Sequence, residues 1–318
     1  DNYTLVQPLG LTANISKADL NVFGVVANNK TYDTNRGAVL SGTAAVSAIG
    51  TDSVTLSGSG SGLFEDKNVA AKKAVNVTGY TLSGADGGNY SLIQPSGLSA
   101  EISKTNINVF GVVASNKVYD THLAVALSGT AAVNAVGTDK VNLVGTGSAE
   151  VADKNAANKK AVTVSGYSLS GSDSANYTLV QPTALTTDIS RASIMVTGVT
   201  AADKVYDAAT NASLNGSAAV TALGSDSVSL TGTGSAVFMD KNVAAVKTVS
   251  VVGYSLSGED HQNYILTQPV GLSASISKAN ISVYGVKATN KTYDTNRVAA
   301  LSGTAKVSAL GSDVVSVG

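Results

Sequence analysis

The sequence predicts an all-β protein, a tandem array of Ig-like antiparallel β-sandwich modules with a period of 87 residues. Three observations predict it. Sequence blocks recur in constant register, short runs of alternating apolar and polar residues fill each period, and no long apolar set keeps the helical spacing. The period suits a self-folding domain, since solenoid repeats have only about 20 to 50 residues.

Four blocks mark the repeat, and they return without insertion or deletion. An enzyme needs one unequal site, whereas an array supplies length and a repeated surface. The strict register therefore favours a structural role. The blocks are Lys30-x-Tyr32-Asp33 (again from 117, 204 and 291), Asp66-Lys67-Asn68 (from 153 and 240), Gly79-Tyr80 (from 166 and 253) and Gln94-Pro95 (from 7, 181 and 268).

The period boundaries are placed at the tripeptide Ile-Ser-Lys or Ile-Ser-Arg, which precedes each fresh β-like run. We expect each period to bury its own interior, and the chain to be a window of a longer array. The two flanking pieces together lack the stretch equivalent to 58–87, so they cannot form a complete module. The predicted segments are 1–16 (C-terminal strands of a preceding repeat), 17–103, 104–190 and 191–277 (three repeats) and 278–318 (the N-terminal part of a further repeat).

Alternation along the chain predicts the strands of each period, seven or more in number. Val75 and Val77 fall on one face, Gly79 interrupts, and Tyr80 and Leu82 resume one step out of phase, as in a β-bulge. Clusters of Gly, Asn and Asp separate the runs. Alternating positions downstream are Tyr90, Leu92, Leu98, Ala100 and Ile102.

Composition narrows the function classes. Charged residues make up 14% of the chain and the net charge is −1, against about 25% charged residues in an average soluble protein. Electrostatic capture of nucleic acid or of an anionic membrane is therefore not expected. No apolar run approaches the roughly 20 residues that span a bilayer, and no signal peptide opens this stretch. The chain contains no cysteine, so no disulfide joins the modules.

The recurring polar and aromatic residues are predicted to be structural anchors of the repeat. The tyrosines are expected to place their rings in the core and to find partners for their hydroxyls, although a receptor-binding stripe would repeat in the same way. Asp33 is expected to accept backbone N–H groups, and the Gln-Pro slot to lie at a bend or edge. The predicted anchors are Lys30, Tyr32, Asp33, Asp66, Lys67, Asn68, Tyr80, Asp86, Asn89, Tyr90 and Pro95.

A sharper alternative for the same residues is an intramolecular isopeptide bond. Such a bond needs a lysine, an amide and an acid buried together, and its formation would release one ammonia. The residues that it would use are Lys30 or Lys67, Asn68 or Asn89, and Asp33 or Asp66 as the proton-transfer group.

No cofactor is predicted. The loop Gly84-x-Asp86-x-x-Asn89 offers one carboxylate and one amide, whereas Ca²⁺ takes about six to eight oxygens, so calcium would need ligands from neighbouring loops. A structural turn explains the loop better. The same interpretation covers the aspartates of the Gly-Ser/Thr-Asp turns, Asp52, Asp139, Asp226 and Asp313.

Catalysis is not expected. The only histidines are His122 and His261, and they occupy different slots of the repeat. No histidine, carboxylate and nucleophile set, metal-binding cluster or phosphate-binding glycine loop can be assembled from this sequence. The chain is therefore predicted not to be an enzyme.

The combined motifs resemble the YDG repeat of filamentous-haemagglutinin-like bacterial exoproteins. They are Lys-x-Tyr-Asp, Asp-Lys-Asn, Gly-Tyr-x-Leu-Ser-Gly and Asn-Tyr-x-Leu-x-Gln-Pro, and they cover the whole chain. The resemblance implies a very large secreted or surface-attached adhesin in which such modules form the stalk. One departure argues against a turn with positive φ, because the glycine that names the family is replaced by Thr34, Thr121, Ala208 and Thr295.

The predicted function is a structural stalk or spacer of an extracellular, surface-located bacterial adhesin, which extends and mechanically links other domains. Its partners would be neighbouring repeats, with a host or abiotic surface contacted through domains outside this stretch, and neither nucleic acid nor membrane insertion is expected. Two alternatives remain open. The chain could be a subunit segment of an extracellular filament or biofilm matrix, in contact with copies of itself, or a repetitive glycan- or ice-binding surface.

Overall fold

The computed structural model describes residues 2–318. The all-β prediction is confirmed, since about half of the residues lie in strands and none of the described residues lies in an α-helix. Each complete period contains one short 3₁₀ turn, at Gly87–Asn89, Ser174–Asn176 and His261–Asn263. No helix in the described part of the chain is long and apolar enough to span a bilayer.

The first period contains eleven strands. Only Lys104 separates its last strand from the first strand of the next period. The strands are β1 (Ala18–Asn21), β2 (Phe23–Ala27), β3 (Lys30–Thr31), β4 (Gly37–Ala38), β5 (Leu40–Ala45), β6 (Thr55–Ser57), β7 (Ser61–Phe64), β8 (Ala70–Thr78), β9 (Thr81–Ser83), β10 (Tyr90–Ile93) and β11 (Ser99–Ser103).

The second period repeats these elements at the same positions. Its strands are β12 (Thr105–Asn108), β13 (Phe110–Ala114), β14 (Lys117–Val118), β15 (Ala124–Val125), β16 (Leu127–Ala132), β17 (Asn142–Val144), β18 (Ser148–Val151), β19 (Ala157–Ser165), β20 (Ser168–Ser170), β21 (Tyr177–Val180) and β22 (Thr186–Ser190).

The third period differs only in that two pairs of strands merge into longer ones, β28 and β29. The strands from here to the C-terminal end are β23 (Ala192–Met195), β24 (Thr197–Ala201), β25 (Lys204–Val205), β26 (Asn211–Ala212), β27 (Leu214–Ala219), β28 (Ser229–Phe238), β29 (Ala244–Ser257), β30 (Tyr264–Thr267), β31 (Ser273–Ser277), β32 (Val283–Ala288) and β33 (Leu301–Val307).

Strand pairing corrects one part of the predicted fold. The first period forms a five-stranded sheet in the order β3-β11-β8-β7-β4, with β3 and β11 parallel. A separate pair, β1 with β10, is also parallel and places Ala18 opposite Tyr90. The prediction that the strands are antiparallel is therefore wrong for these pairs, and the Ig-like sandwich is not confirmed. Alternation shows which face of a strand is buried, but it does not show the direction of the neighbouring strand.

The bulge predicted at the Gly-Tyr block is seen where β28 pairs with β29. The register shifts between Gly232, opposite Tyr254, and Ser235, opposite Val252, so that Gly253 lies in the irregularity. Its φ is +103°, and a Cβ there would lie 2.5 Å from the carbonyl oxygen of Thr233. Glycine is therefore required at this position for two independent reasons.

Two compact units divide the chain, and their limits do not follow the sequence periods. The first unit contains the residues up to Val113 together with Leu127–Ala149 and Thr163–Leu185. The second unit contains Ala114–Ala126, Glu150–Val162 and Thr186–Gly318. Each unit therefore combines strands of successive periods.

The buried cluster of the first unit draws on two periods. Ile107 and Tyr177 come from the second period, and both are almost fully buried. The other members come from the five-stranded sheet and the loops of the first period, namely Tyr32, Phe64, Val75, Val77, Ala100 and Ile102. The second unit has its own cluster of Ala236, Phe238, Val249, Val251, Ala274 and Ile276.

The expectation that each period buries its own interior is therefore wrong for the first unit. The chain passes from β11 to β12 across a single residue, so a strand of the next period begins directly beside the sheet of the previous one. Small sheets with one apolar face need a second layer to cover that face. Here the second layer is supplied by the following period.

Candidate functional site

Asp139 is the centre of a polar network inside the first unit. Its carboxylate accepts hydrogen bonds from the hydroxyl of Tyr32 at 2.6 Å and from the hydroxyl of Tyr177 at 2.8 Å. Lys67 forms an ion pair with the same carboxylate, whose side chain is only 1% exposed. Tyr32 and Lys67 belong to the first period, whereas Asp139 and Tyr177 belong to the second. The network therefore joins successive periods.

The aromatic rings and the lysine stem pack around this carboxylate. The rings of Tyr32 and Tyr177 meet edge to face with centroids 5.5 Å apart, and the Lys67 ammonium lies 5.9 Å from the centroid of Tyr32. The ammonium also lies 3.0 Å from a carboxylate oxygen of Asp173. A buried carboxylate is stable only when its charge is paired and its lone pairs are occupied, and these contacts meet both conditions.

Asn176 makes a second set of bonds across the same periods. Its carboxamide oxygen accepts the backbone N–H of Val69 at 2.9 Å, and its amide group donates to Asn68 Oδ1 at 3.1 Å. The side chain is buried. The 3₁₀ turn Ser174–Asn176 leads directly into β21, which places Asn176 and Tyr177 side by side against the previous period.

The charges in the network stabilise each other. Burial alone would raise the pKa of Asp139, but hydrogen bonds from Lys67, Tyr32 and Tyr177 outweigh it and lower this pKa below its ordinary value. Hydrogen bonds to Asp139 and Asp173 raise the pKa of Lys67. Burial, followed by the hydrogen bond to Asp139, raises the pKa of Tyr177 to about 12. The stable form at neutral pH is an ion pair with two neutral phenols.

The same arrangement recurs inside the second unit. Asp226 accepts the hydroxyls of Tyr119 at 2.6 Å and of Tyr264 at 2.7 Å, and it pairs with Lys154. The carboxamide oxygen of the Asn263 side chain accepts the N–H of Ala156 at 2.8 Å. We call the set Tyr32, Lys67, Asn68, Asp139, Asn176 and Tyr177 the first junction, and the set Tyr119, Lys154, Asn155, Asp226, Asn263 and Tyr264 the second junction.

Three segments of the chain, at residues 16–97, 103–185 and 190–271, match the sequence model of the YDG domain. The chain belongs to the YDG domain family. The three matches follow the predicted period in tandem, and together they cover well over half of the chain. No curated protein and no solved structure matches the chain.

The block that gives the YDG domain its name closes a local loop. Lys30 donates to the carbonyl oxygens of Asn35 at 3.0 Å and of Gly37 at 3.2 Å, and it lies 2.6 Å from Asp33 Oδ1. Asp33 Oδ1 accepts the N–H of Asn35 at 2.9 Å. Within this block only Tyr32 reaches into the next YDG domain.

The backbone of this loop overturns one expectation. The residues in the glycine slot have positive φ values of 69° at Thr34, 70° at Thr121, 64° at Ala208 and 63° at Thr295. The turn of positive φ is therefore present although no glycine occupies it. The bonds from Lys30 and Asp33 hold the loop in this conformation, which costs a β-branched residue about 1 to 2 kcal/mol.

The other predicted anchors of the first YDG domain hold turns. Asp66 Oδ1 accepts the N–H of Asn68 at 2.6 Å and pairs with Lys73, and Asp86 Oδ2 accepts the N–H of Ser53 at 2.8 Å. The side chain of Gln94 forms two hydrogen bonds with the backbone of Tyr80. It accepts the N–H of Tyr80 at 3.2 Å and donates to the carbonyl oxygen of Tyr80 at 2.9 Å. Pro95 is buried.

Tyr90 and Asn89 correspond to Tyr177 and Asn176 of the first junction. Tyr90 is buried and donates to Asp52 at 2.7 Å. Asn89 is exposed, whereas Asn176 is buried. The Asn-Tyr pair therefore becomes fully buried where a preceding YDG domain packs against it.

The lysines do not meet the amides that the isopeptide hypothesis requires. Lys30 contacts carbonyl oxygens and Asp33, and Lys67 contacts Asp139 and Asp173. The pKa of Lys67 is raised by its bonds to Asp139 and Asp173, so the charged ammonium is favoured, whereas amide formation needs a neutral amine. In the part of the chain that the structure describes, no three or more His, Cys, Asp or Glu side chains group as metal ligands. The cofactor prediction stays a prediction.

The residues that the sequence reasoning undervalued are the turn aspartates. Asp139 and Asp226 looked like ordinary turn residues, but each of them is the carboxylate at which two YDG domains meet. The available signal was that an aspartate recurs with the same period as two tyrosines and a lysine. Pairing the recurring lysine and tyrosines of one period with the aspartate of the next would have indicated the network.

Proposed function

We propose that this chain is a structural stalk or spacer segment of a large secreted or cell-surface bacterial adhesin, in which it extends and mechanically links other domains. The observation that carries the proposal is the junction network, which occurs with the same geometry around Asp139 in the first unit and around Asp226 in the second. The proposal includes no catalytic step.

The network suits a load-bearing role because its bonds connect distant parts of the chain. Tyr32 and Asp139 are 107 residues apart, and Lys67 and Asp139 are 72 residues apart. To separate the two periods, these bonds and those of Asn176 must break at the same time, and Tyr177 must become exposed to solvent. Contacts that fail together resist force better than contacts that open one after another.

The adhesin setting is supported by the resemblance of the recurring motifs to the repeats of filamentous-haemagglutinin-like exoproteins. The neighbouring YDG domains are the partners that the geometry favours, since they supply each other's buried residues. The low charge content also suits a spacer, because it leaves no strong electrostatic preference for a ligand.

Single-molecule stretching of the chain tests the mechanical part of the proposal. We expect discrete unfolding events, each releasing on the order of 300 Å for a period of this length. Asp139→Asn should lower the force of the event that opens the first junction. Asp19→Asn is the matched control, because Asp19 is an exposed carboxylate on β1. Extension without unfolding events would contradict the load-bearing role.

Surface labelling tests the location. An antibody raised against the chain should label intact cells of the bacterium that produces it, or appear with protein released into the medium. Labelling only after the cells are broken open would refute an adhesin segment, whatever the mechanical result.

A further inference from the structure

A polar cleft of about 600 Å³ lies within the third YDG domain. It is formed by the C-terminal part of β29, the 3₁₀ turn His261–Asn263 and β30, and Arg191, which precedes β23, also lines it. We call it the third-domain cleft. Its volume falls within the range of small-molecule binding sites, about 300 to 1,000 Å³.

Most of the lining belongs to the frame that all the domains share. Five lining residues are the same in the three YDG domains, namely Tyr254, Leu256, Tyr264, Leu266 and Gln268. The side chain of Gln268 forms two hydrogen bonds with the backbone of Tyr254, and the hydroxyl of Tyr264 donates to Asp226 in the second junction. These residues therefore set the shape of the cleft.

Three further lining residues have this combination in the third domain alone. Arg191 stands where the first two domains have lysine, and His261-Gln262 stands where they have small residues. The shared frame therefore carries three larger, nitrogen-bearing side chains at this one place. The equivalents are Lys17, Gly87 and Gly88 in the first domain and Lys104, Ser174 and Ala175 in the second.

These three side chains keep polar groups available. Arg191 and Gln262 are exposed, and their side chains take part in none of the hydrogen bonds or ion pairs found within residues 2–318. The Nδ1 atom of His261 lies 2.6 Å from the carbonyl oxygen of Gly258. A carbonyl oxygen only accepts, so Nδ1 carries the proton and Nε2 of the neutral ring is left as an acceptor.

Tyr254 adds an aromatic surface at a fixed position. A Cβ at Gly234 would lie 2.5 Å from the hydroxyl oxygen of Tyr254, so the phenol rests directly on the backbone of Gly234. The side chain is half-buried, and its hydroxyl has no partner in the part of the chain that the structure describes. A ring held in this way offers apolar area and a polar edge without further ordering.

The charge of the cleft is positive. Among the described residues that line it there is no carboxylate. The nearest acids along the chain are Glu259, which is exposed and does not line the cleft, and Asp260. Asp260 accepts the N–H of Ser227 at 2.9 Å and pairs with Lys154. The permanent charge that faces a ligand is therefore that of Arg191.

A following domain does not cover this part of a YDG domain. The second domain has a complete YDG domain on each side in the sequence. Each of its residues that corresponds to a cleft residue is exposed, half-buried or buried as its counterpart is. Lys104 and Ala175, for example, are exposed like Arg191 and Gln262. The accessibility of the cleft is therefore a property of the domain itself.

We propose that the third-domain cleft binds a sugar acid, that is, a saccharide unit that carries a carboxylate. The planar guanidinium of Arg191 matches a carboxylate in charge and geometry and forms two parallel hydrogen bonds with it. Saccharide hydroxyls both donate and accept, as do the amide of Gln262 and the phenol of Tyr254, and His261 Nε2 accepts. The proposal does not rest on the stalk function.

The lining favours this class of ligand over two others. A ligand with several phosphates or sulfates is held by several cations, whereas Arg191 supplies one permanent charge. A peptide is anchored by apolar side chains in apolar pockets, whereas the aliphatic part of this lining is limited to Leu256 and Leu266. A single carboxylate on a hydroxyl-rich ring fits both observations.

Titration calorimetry of the whole chain with a trimer of galacturonic acid tests the proposal. The wild-type chain should bind one trimer at millimolar concentration or below. The fully methyl-esterified trimer keeps the sugar rings and loses the charges, so it should bind weaker by about tenfold or more, because the charge-assisted pair with Arg191 is lost.

The second domain supplies matched variants. Arg191→Lys should weaken binding by about tenfold, since lysine keeps the charge and loses the two parallel hydrogen bonds. His261→Ser combined with Gln262→Ala should remove detectable binding. Folding is not at risk in either variant, because the second domain has the same frame with Lys104, Ser174 and Ala175 in these places.

The reverse substitutions should create a second site. Lys104→Arg, Ser174→His and Ala175→Gln together give the second domain the cleft lining of the third, so the chain should bind two trimers. A stoichiometry that stays at one would contradict the role of these three residues.

An amidated glutamate trimer separates recognition of a sugar from recognition of charge alone. It carries three carboxylates and no hydroxyls, so it should bind more weakly than the galacturonic acid trimer. Equal binding of the peptide would overturn the saccharide assignment. A wild-type chain that does not bind the sugar trimer at millimolar concentration, or binding that survives unchanged in both loss variants, would overturn the site.

Discussion

Two lysines of the first YDG domain, Lys30 and Lys67, each form an ion pair with an aspartate, but the two pairs have different roles. Lys30 and Asp33 are three residues apart, and the Asp33 side chain is 49% exposed. Lys67 and Asp139 are 72 residues apart, and the Asp139 side chain is 1% exposed. The first pair closes a loop within one domain, whereas the second joins one domain to the next.

The difference shows that the most conspicuous motif is not the one that holds the domains together. Exposed ion pairs contribute about 0 to 1 kcal/mol, because water screens the charges and both side chains lose freedom. Removing one partner of a buried pair costs about 3 to 5 kcal/mol, because the remaining polar groups are left without partners. The comparison therefore predicts unequal effects for the same substitution at the two sites.

The largest effect is expected for Asp139→Asn. It should destabilise the first junction by about 3 kcal/mol, at the low end of the range, since Lys67 keeps partial access to water. Hydrogen exchange of the Val69 amide, which bonds Asn176, should then become faster by roughly two orders of magnitude. The Ala156 amide at the second junction is an internal control in the same molecule.

Asp33→Asn is the matched substitution at the exposed pair. It should cost less than about 1 kcal/mol and leave the exchange of Val69 unchanged. If Asp33→Asn loosened the first junction as much as Asp139→Asn does, the distinction between a local and a joining pair would be wrong.

A smaller effect is expected from acid. The pKa of Asp139 is lowered in the folded chain, so its contribution to stability is complete above the unfolded value of about 3.9 and is lost as the pH falls through the folded value. Protection of the Val69 amide should therefore decrease below about pH 4. In Asp139→Asn this part of the pH dependence should be missing, and a variant with the full wild-type dependence would contradict the assignment.

Alkali should act on the phenols of the same network. The pKa of Tyr177 is raised to about 12, first by burial and then by its bond to Asp139. The neutral form therefore stabilises the junction below the ordinary tyrosine value of about 10, and this stability is lost as the pH rises toward 12. Tyrosinate absorbance should show a late component to which Tyr177 and its equivalent Tyr264 both contribute. Asp139→Asn should move only the Tyr177 part to lower pH, whereas Asp33→Asn should leave the whole component in place.

Much of this fold could be predicted from the sequence, because it depends on local patterns. The alternation of apolar and polar residues predicted the strands around Val75 and Tyr90, and the constant register of the sequence blocks predicted the three tandem repeats, which match the YDG domain. The parallel pair of β1 with β10 and the shared core around Ile107 could not be predicted in this way. Strand direction and the partner of a buried face are set by residues far apart in the chain, and a repeat leaves several equivalent partners open.

The smallest effect on stability is expected for a substitution at Thr34, in the loop that Lys30 and Asp33 close. Thr34 has a φ of 69°, a conformation that costs a residue with a side chain about 1 to 2 kcal/mol. Glycine avoids this cost, but its greater conformational entropy in the unfolded chain lowers the stability of the folded state by about 0.4 to 1 kcal/mol. Thr34→Gly should therefore stabilise the loop by about 0.5 kcal/mol, and the combined glycine variant at Thr34, Thr121, Ala208 and Thr295 should raise the melting temperature measurably. Thr34→Ala keeps the positive φ and should not share the gain. If glycine destabilised the chain, the loop would depend on the threonine side chain and not on the backbone conformation that Lys30 and Asp33 hold.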